Sequence, residues 1–445
     1  MRTNLLCLLS VVVLAGACRS GENPPYDLSP GDGSVNQDMH APDLATADLA
    51  TADLATSDAG ALDMPLALDM STFTPATNYP VGTGPIYLAV SDLNNDGTPD
   101  LVVVNVNDPA NAKPSSMSVL LGKGDGTFNA ALTNVISDYP FAVSIASFKA
   151  AGKKDVVVST YDGFDYLAGN GDGTFAARQH TVVGTSAFDR GGAIGDIDGD
   201  GKLDFVIGDQ GDLTANGVIW VVPGKGDGTF RAPVSFTVST QGNVNAVREP
   251  NVVRLAMMDT DAKLDVVVGN SNADGTSSLS ILVNQSTPGV FAFSAPTEIS
   301  SAKIPIDLVL AQADGAHKTD ILSVNLGADT VSVYLSNTDD NTLGFASPVQ
   351  YPAGSGPTAI AIGDIDGDTK ADLVVANTTN QVTVLYGDGL GKFGISNASR
   401  PGTVSFGVGS DPISVVVATF NNDTKLDVAT ANQLSNDVSI LLNTH

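Results

Sequence analysis

The chain alternates between short apolar runs and polar loops, and the alternation repeats at a nearly constant interval. In each copy, oxygen-bearing side chains stand on alternate residues of a loop, an aspartate ends the loop, and a run rich in β-branched residues follows. The copy that starts at Asp196 is the most complete. Seven such units, roughly 54 residues apart, predict a repeat array of short strands closed into a ring. Their closing aspartates are Asp100, Asp155, Asp204, Asp265, Asp320, Asp372 and Asp427.

Within each unit the pattern predicts four short strands. In the first unit, residues 86–90 alternate, residues 101–104 are continuously apolar, and residues 116–121 form a third run. The sequence Gly-Asp-Gly-Thr-Phe at 124–128 predicts a tight turn into a fourth strand, because Asp-Gly between apolar runs favours the positive φ of a hairpin turn. This turn recurs at 171–175 and 226–230, and in a looser form at 387–393.

The two ends of the repeat region predict how the ring closes. The last unit stops after its third strand, at residues 438–442, and residues 73–78 precede the first unit as a strand without a partner. Pairing these two segments completes a seventh sheet and removes exposed strand edges. The predicted fold is therefore all-β, a seven-bladed β-propeller closed by an N-terminal strand.

The composition agrees with a protein built from strands and turns. The net charge of −28 comes almost entirely from aspartate, since only three of the 49 acidic residues are glutamates. Aspartate favours turns, so the acidity is expected in the loops. A pI near 4.1 argues against nucleic acid or an anionic membrane surface as a direct ligand, because such surfaces repel an acidic protein.

The N-terminus has the pattern of an export signal, with Arg2 followed by an apolar stretch that is too short to span a membrane. Residues 14–18 resemble the cleavage site of bacterial lipoproteins, which predicts a signal peptide at 1–17 and lipid on Cys18. Ala15 departs from that pattern, where leucine is usual, and the alternative is ordinary secretion with Cys18 incidental. By resemblance to the sorting rules of lipoproteins in diderm bacteria, Arg19 after the cysteine, rather than aspartate, implies the outer membrane, on its periplasmic or its external side.

Residues 18–71 carry no strand pattern. Aspartates recur every five residues, at Asp43, Asp48, Asp53 and Asp58, which matches neither a helix nor a strand. A segment of this kind, with almost no aromatic residues, is typical of a disordered acidic tether. The predicted folded domain is residues 72–445, held away from the membrane by the tether.

Over residues 73–445 the repeats resemble the FG-GAP/VCBS repeats of integrin α-chain-like propellers and of many exported bacterial proteins. The resemblance rests on the aspartate loops followed by apolar strands and on the Gly-Asp-Gly-Thr-Phe turns. It implies the propeller fold and calcium in strand–loop–strand sites, with the ligand on the face away from the calcium loops or between blades.

The loop residues themselves favour calcium, which takes six to eight oxygen ligands and suits carboxylates on alternate residues better than magnesium does. We expect about three to five structural calcium ions. Blade four offers a less complete set, Asp259, Asp261 and Asp265, because Met257 stands at its first position. The predicted ligands in blades one, three, six and seven are Asp92, Asn94, Asp96, Asp100, Asp196, Asp198, Asp200, Asp204, Asp364, Asp366, Asp368, Asp372, Asn421, Asp423 and Asp427.

The alternative for every loop is that its aspartates only cap turns and solubilise the rim. This is our interpretation of blades two and five, where most of the ligand positions are lost. In blades one, three and six, four clustered oxygens would repel one another without a cation, which favours the metal.

No catalytic pattern emerges. None of the four histidines has a nucleophile at a recognisable spacing. We expect a non-catalytic, monomeric binding or adhesion module in the cell envelope, with an envelope or extracellular protein as partner. The alternatives are a carbohydrate-binding lectin and, because some propellers of the resembled family are enzymes, a polysaccharide lyase or dehydratase. Candidate recognition loops lie at 105–115, 159–165, 208–217, 269–278 and 431–437. Trp220 is expected to pack in the core.

Overall fold

The fold is described from a computed structural model of the chain. The structure describes residues 73–106, 114–149, 152–184, 189–210, 217–239, 248–272, 276–316, 318–338, 343–396 and 400–445. The predicted signal peptide, Cys18 and the predicted tether lie outside these residues. In the described part of the chain, no helix has the length and hydrophobicity that crossing a membrane requires.

The described residues form 28 strands in seven four-stranded antiparallel sheets, which confirms the predicted propeller. Blade one contains β2 to β5, blades two to six each take the next four strands in chain order, and blade seven contains β26 to β28 together with β1. The strands of blades one to three are β2 Pro85–Ser91, β3 Asp100–Asn105, β4 Ser116–Leu120, β5 Leu132–Val135, β6 Ala142–Ala146, β7 Asp155–Thr160, β8 Gly163–Leu167, β9 Gln179–Val182, β10 Asp189–Gly195, β11 Asp204–Asp209, β12 Val218–Val222 and β13 Val234–Thr237.

Blades four to seven repeat this plan with strands of similar length. Their strands are β14 Arg248–Ala256, β15 Asp265–Asn272, β16 Ser277–Leu282, β17 Thr297–Ser300, β18 Pro305–Ala311, β19 Asp320–Asn325, β20 Thr330–Tyr334, β21 Val349–Pro352, β22 Pro357–Gly363, β23 Asp372–Asn377, β24 Gln381–Leu385, β25 Thr403–Gly407, β26 Pro412–Ala418, β27 Asp427–Asn432 and β28 Asp437–Leu441.

The seventh blade is closed by both ends of the described chain, as predicted. Strand β1, Thr77–Pro80, pairs with β28 in the order β1-β28-β27-β26. The strand begins later than the predicted segment. Phe73 makes an isolated bridge to Asn443 and is buried in the core between blades six and seven. The first strands of successive blades contact one another around the whole circle, including β26 against β2, so the ring is closed.

The core consists of apolar layers between neighbouring blades. The first six residues of every second strand are buried, which explains their runs of β-branched residues. Leu88 and Leu101 of blade one, for example, pack with Ile440 of blade seven. Phe128 lies in the same layer, where it bridges back to Gly122 before the fourth strand starts. Phe128 is therefore a core residue that precedes the outer strand, and Phe230 is partly buried against another such layer.

The two faces of the ring carry different connections. One face, called here the aspartate-loop face, carries the loops between first and second strands and the turns after the third strands. The opposite face carries the connections between second and third strands and those that lead into the next blade. The candidate ligand sets lie on the aspartate-loop face, and the described residues of the candidate recognition loops lie on the opposite face.

Candidate metal centres and binding surface

The closing aspartate is the first residue of the second strand in every blade. In blade three, Asp204 accepts the backbone N–H of Ile197 at 3.0 Å and that of Gly224 at 2.9 Å, one on each oxygen. The same pair of bonds recurs in all seven blades and joins the loop to the residue two positions after the third strand. We call this arrangement the aspartate clamp. Blades two and five keep the clamp although their loops lack most predicted ligands, so its hydrogen bonds need no metal.

Two loops bring three carboxylates close enough to share one cation. In each group, the carboxylates offer oxygens that all lie within 4.8 Å of one another. The groups are Asp196, Asp198 and Asp204 in blade three, and Asp364, Asp366 and Asp372 in blade six. These are the two loops with four aspartates in the sequence. The structure therefore assembles a possible metal centre where the sequence pattern is fullest.

The backbone of both loops is folded around the first aspartate. Asp196 accepts the N–H of Gly201 at 2.9 Å, and Asp364 accepts that of Thr369 at 2.8 Å. Gly201 has a φ of 81° and Thr369 a φ of 68°, so the threonine adopts a conformation that β-branched residues rarely take. The loop geometry of blade six is thus preserved although the glycine is lost.

The donor set fits a hard cation such as calcium. The Oδ1 atom of Asp364 is buried and accepts no hydrogen bond from any described residue. A buried carboxylate oxygen without a donor is costly unless a cation neutralises it. Three carboxylates and the loop carbonyls supply oxygen ligands alone, which suits calcium better than softer metals.

The aspartate at the fifth position of each four-aspartate loop lies outside the group and contacts basic side chains. Asp200 accepts from Lys202 Nζ at 2.9 Å and from Arg231 Nη2 at 3.2 Å. Asp368 accepts from Lys370 Nζ at 3.0 Å, with the Arg400 guanidinium at 3.8 Å. Neither aspartate belongs to a carboxylate group, although both were predicted as ligands.

Burial raises the pKa of most closing aspartates. For Asp204 the pKa rises to about 6, because desolvation outweighs the amide bonds from Ile197 and Gly224, and the neighbouring Asp198 and Asp200 add to the rise. The pKa of Asp265 and of Asp372 likewise rises to about 6. Smaller rises with the same first cause affect Asp100, Asp320 and Asp427. A bound cation would counter this cost of keeping the carboxylates charged.

Blades one, seven and four place their predicted ligands differently. In blade one, the Asn94 amide donates to Asp96 at 2.8 Å, and in blade seven Asn421 donates to Asp423 at 2.9 Å. In blade four, Met257 is 52% exposed at the first position. Within the described ranges these three loops form no group of three carboxylates, so ligation there needs more oxygens from the backbone or solvent. The predicted ligands Asp92, Asp259 and Asp261 lie in these loops.

The loops of blades two and five, which have lost most ligand positions, are interpreted as lacking a metal. In blade two, Lys149 lies with its Nζ 5.8 Å from the centre of the Tyr166 ring. Asp314 of blade five accepts the N–H of Ala316 at 2.8 Å, which is a turn-capping contact. Ala151 and His317, which belong to these two loops, lie outside the described residues.

On the opposite face, five blades share a buried polar pair. The sixth residue of their second strand is an asparagine that bonds to a serine or threonine of the third strand, as Asn105 does to Ser118 at 3.0 Å. The other four pairs are Asn270–Ser280, Asn325–Ser332, Asn377–Thr383 and Asn432–Ser439. Blade three has Asp209 and Trp220 at these positions, with the indole N–H donating at 3.0 Å. Trp220 packs against an interblade core layer, as expected.

Blade two departs furthest from the repeat at these positions. Asp165, at the place of the serine, is fully buried and accepts the Ser137 hydroxyl at 2.8 Å. His180 Nδ1 lies 2.9 Å from the same carboxylate and 3.2 Å from Ser137 Oγ, and its Nε2 lies 3.2 Å from Asp162. Arg178 donates to Ser137 at 2.7 Å. We call these five residues the blade-two polar cluster.

The cluster contains a serine, a histidine and an aspartate, but not in the order of a catalytic relay. A relay needs the aspartate on one ring nitrogen and the serine on the other. Here Asp165 and Ser137 both contact Nδ1 of His180, and Nε2 faces a second carboxylate, Asp162. Sequence spacing provides no signal for this contact, because Ser137 follows the last strand of blade one whereas the other four residues belong to blade two.

The central channel holds a further charged contact. Arg254 of blade four bonds to Asp307 of blade five at 2.5 Å and to the Tyr87 hydroxyl of blade one at 3.3 Å. Asp307 also accepts the N–H of Ile360 from blade six at 3.1 Å. The cavity beside them has a volume of about 300 Å³ and is otherwise lined mostly by apolar residues. These contacts connect the first strands of blades one, four, five and six.

Comparison with known proteins identifies the repeats. A family model described as an FG-GAP-like repeat matches residues 148–207, 313–375 and 364–430, which span parts of blades two, three, five, six and seven. The chain therefore carries FG-GAP-like repeats arranged as a seven-bladed propeller, as the resemblance implied. The comparison with curated proteins gave no match.

The solved structures that match include one described as the basis of specific recognition of non-reducing terminal N-acetylglucosamine by an Agrocybe aegerita lectin. The two chains are 18% identical, the match covers 74% of this chain and 87% of the lectin chain, and the TM-score is 0.47. We draw no functional conclusion from a likeness at this level.

Proposed function

We propose that this protein is a non-catalytic, calcium-stabilised binding module whose ligand binds the opposite face at blades two and three. The observation that carries the proposal is the loss of the repeated Asn–Ser pair in these two blades alone among the seven. A buried pair kept by five blades is explained by the common architecture. Its replacement by charged and aromatic groups in two adjacent blades indicates a local task that the architecture does not require.

The blade-two polar cluster has the features of a recognition surface. Asp165 is buried and holds the cluster in place, while Arg178 and Asp162 are 37% and 52% exposed in their side chains. A fixed base with accessible charged groups above it is preorganised for a polar ligand, because little side-chain entropy remains to be lost on binding. Binding residues are commonly carried in this way by loops on a rigid scaffold.

The same geometry supports binding over hydrolysis. Ser137 and Asp165 both contact Nδ1 of His180, and Asp162 lies at Nε2, so the ring is not placed to pass a proton from the serine to a leaving group as acyl transfer needs. The aspartates of the other face are occupied by the clamps and by the candidate metal centres. Turnover of a polysaccharide or peptide that is lost in a Ser137→Ala variant would contradict this part of the proposal.

A protein is the partner that the charged cluster supports best, since Arg178 and Asp162 can form charge-assisted contacts with a complementary surface. One observation favours a glycan as the second candidate. Tyr139 and Tyr161 are partly buried on the same face, with ring centroids 5.9 Å apart. An aromatic pair offers apolar rings for a sugar to stack on, beside carboxylates that accept its hydroxyls.

The test uses the chain from residue 72 with Arg178→Ala and, as matched control, Lys303→Ala, which removes an exposed cation from the same face between blades four and five. Purified protein would be cross-linked to envelope proteins of the source cells and, separately, applied to a glycan array. Retention of one protein, lost with Arg178→Ala and kept with Lys303→Ala, supports the protein partner. Array binding that free sugar displaces supports the glycan. Binding that Arg178→Ala leaves intact would place the ligand elsewhere.

The proposal includes attachment to the cell envelope through lipid on Cys18, which rests on the sequence pattern at residues 14–18. Expression in a lipoprotein-processing host would give a chain that partitions into detergent and carries a mass increase of the N-terminal peptide. A Cys18→Ser variant should be released in soluble form. A wild-type chain cleaved at another residue and found free of membrane would refute the anchor.

A further inference from the structure

Each of the two four-aspartate loops has an arginine seated beside it. In blade three, Arg231 donates to Asp200 at 3.2 Å and to the carbonyl of Gly224 at 3.4 Å. In blade six, Arg400 contacts Asp366 and donates to the carbonyl of Gly387 at 3.3 Å. The carbonyl acceptor is the same in both blades, since Gly224 and Gly387 are the residues held by the aspartate clamps.

The two arginines reach this place from different points of the chain. Arg231 directly follows the turn phenylalanine Phe230, whereas Arg400 comes seven residues after its counterpart Phe393. The position is therefore not a by-product of the repeat. Arg400 is also fixed over the Tyr386 ring, with the guanidinium carbon 4.3 Å from the ring centre, and its side chain is only 17% exposed. A cation–π contact of this kind adds to the ion pair.

The two arginines lie beside the two loops that contain the most aspartates. Blades three and six carry four aspartates each, while blade one has Asn94 in place of one of them, and no arginine is paired with its loop among the described residues. Arg231 and Lys202 together hold the Asp200 carboxylate outside the carboxylate group of blade three. In blade six, Arg400 is paired with Asp366, which is itself a member of the group.

We propose that Arg231 and Arg400 are internal counter-cations that compete with calcium for the aspartates of blades three and six. This inference rests on the proposed calcium sites and specifies what sets their affinity. Without metal, the guanidinium groups neutralise part of the loop charge and keep the loop folded. When calcium binds, each arginine gives up an aspartate, so the affinity is lower than four carboxylates alone would provide. The guanidinium group and the calcium ion carry like charges beside the same carboxylates, and such charges repel appreciably even when solvent screens them.

The experiment titrates calcium into the metal-free chain from residue 72, in competition with a chromophoric chelator, and records thermal unfolding in parallel. The variants are Arg231→Met, Arg400→Met and the control Lys303→Met, which removes an exposed cation from the opposite face. We expect one class of site to bind about threefold to tenfold more tightly in Arg400→Met and in Arg231→Met, and no change in the control. The metal-free melting temperature should fall in both loop variants, and calcium should restore most of the loss.

A further substitution assigns the tightened site. Adding Asp366→Asn to Arg400→Met should abolish the gain in affinity, because the released carboxylate belongs to blade six. Calcium binding that is unchanged or weaker in both arginine variants would overturn the inference while leaving the proposed calcium sites intact. If neither wild type nor any variant binds calcium, the competition and the proposed metal function both fail. Binding that appears only in the arginine variants would support the inference and show that the arginines replace the metal in the native protein.

Discussion

The aspartate clamp should be a main source of stability in each blade, and blade two allows it to be tested without a metal. The substitution is Asp155→Ala. Asp155 is 2% exposed and accepts the N–H of Phe148 at 3.2 Å and that of Gly169 at 2.9 Å. A hydrogen bond to a charged group contributes about 1.5–3 kcal/mol, and the substitution leaves both amides buried without an acceptor. Losing two such bonds should cost about 3–6 kcal/mol of unfolding free energy.

The assay is denaturant unfolding of the chain from residue 72, followed by circular dichroism in chelator and in calcium. The cost of Asp155→Ala should be the same in both media, because the loop of blade two holds few metal ligands. Asp155→Asn keeps one oxygen acceptor and should lose roughly half as much. Asp204→Ala removes the clamp and a candidate ligand together, so its cost should increase when calcium is present. A cost below about 1 kcal/mol for Asp155→Ala, or one that depends on calcium, would refute the clamp as a metal-independent element.

Four further predictions follow from the site and the channel. Calcium, but not magnesium, should raise the melting temperature, and Asp364→Ala should reduce the rise; equal responses to both ions would contradict the site. Thr369→Gly should stabilise the metal-free protein by about 1–2 kcal/mol by relieving a positive φ, measured by denaturant unfolding; a loss would show that the threonine side chain makes needed contacts. Arg254→Met should lower the unfolding free energy by about 3–5 kcal/mol because Asp307 is left buried and unpaired. Adding Asp307→Asn should recover part of this loss. Finally, the closing aspartates whose pKa rises to about 6 bind protons more readily when folded than unfolded, so metal-free stability should fall as pH rises from about 4 through 6. Melting in chelator at pH 5 and 7.5, repeated in 1 M salt to screen surface charge, checks this; a higher melting temperature at pH 7.5 would contradict it.

The architecture could be predicted from the sequence because it depends on local signals that repeat. The closing aspartate followed by β-branched residues marks each second strand, and the seven second strands start at these aspartates. Ring closure could be predicted from the two unpaired segments at the ends of the repeat region, 73–78 and 438–442. In the structure, the strand that pairs from the first segment starts only at Thr77. Here periodicity supplied what one unit alone could not, since four short strands have no stable edge partner outside a ring.

The sequence did not predict the contacts that join side chains of different repeat units. Arg231 and Arg400 lie at unrelated offsets from the loops that they reach, so spacing gives no signal for them. The blade-two polar cluster depends on the exit path of blade one, which brings Ser137 to His180. Arg254 meets Tyr87 across 167 residues, and only the ring geometry puts the two strands together. A useful signal was present for the opposite face, because Asn105 and its counterparts stand five residues after each closing aspartate in five units.

Blade two shows which parts of a repeat the ring requires and which it does not. It has lost most ligand positions on the aspartate-loop face, and Thr160 and Asp165 replace the Asn–Ser pair on the opposite face. It keeps the clamp of Asp155 and a fully buried second strand. The clamp and the apolar strand are therefore the shared requirement, and the loops at both ends of the sheet are free to change. A binding surface can therefore diverge on such a blade without weakening the ring. For this reason the substitution of Asp155 should change stability, whereas the substitution of Arg178 should change ligand binding.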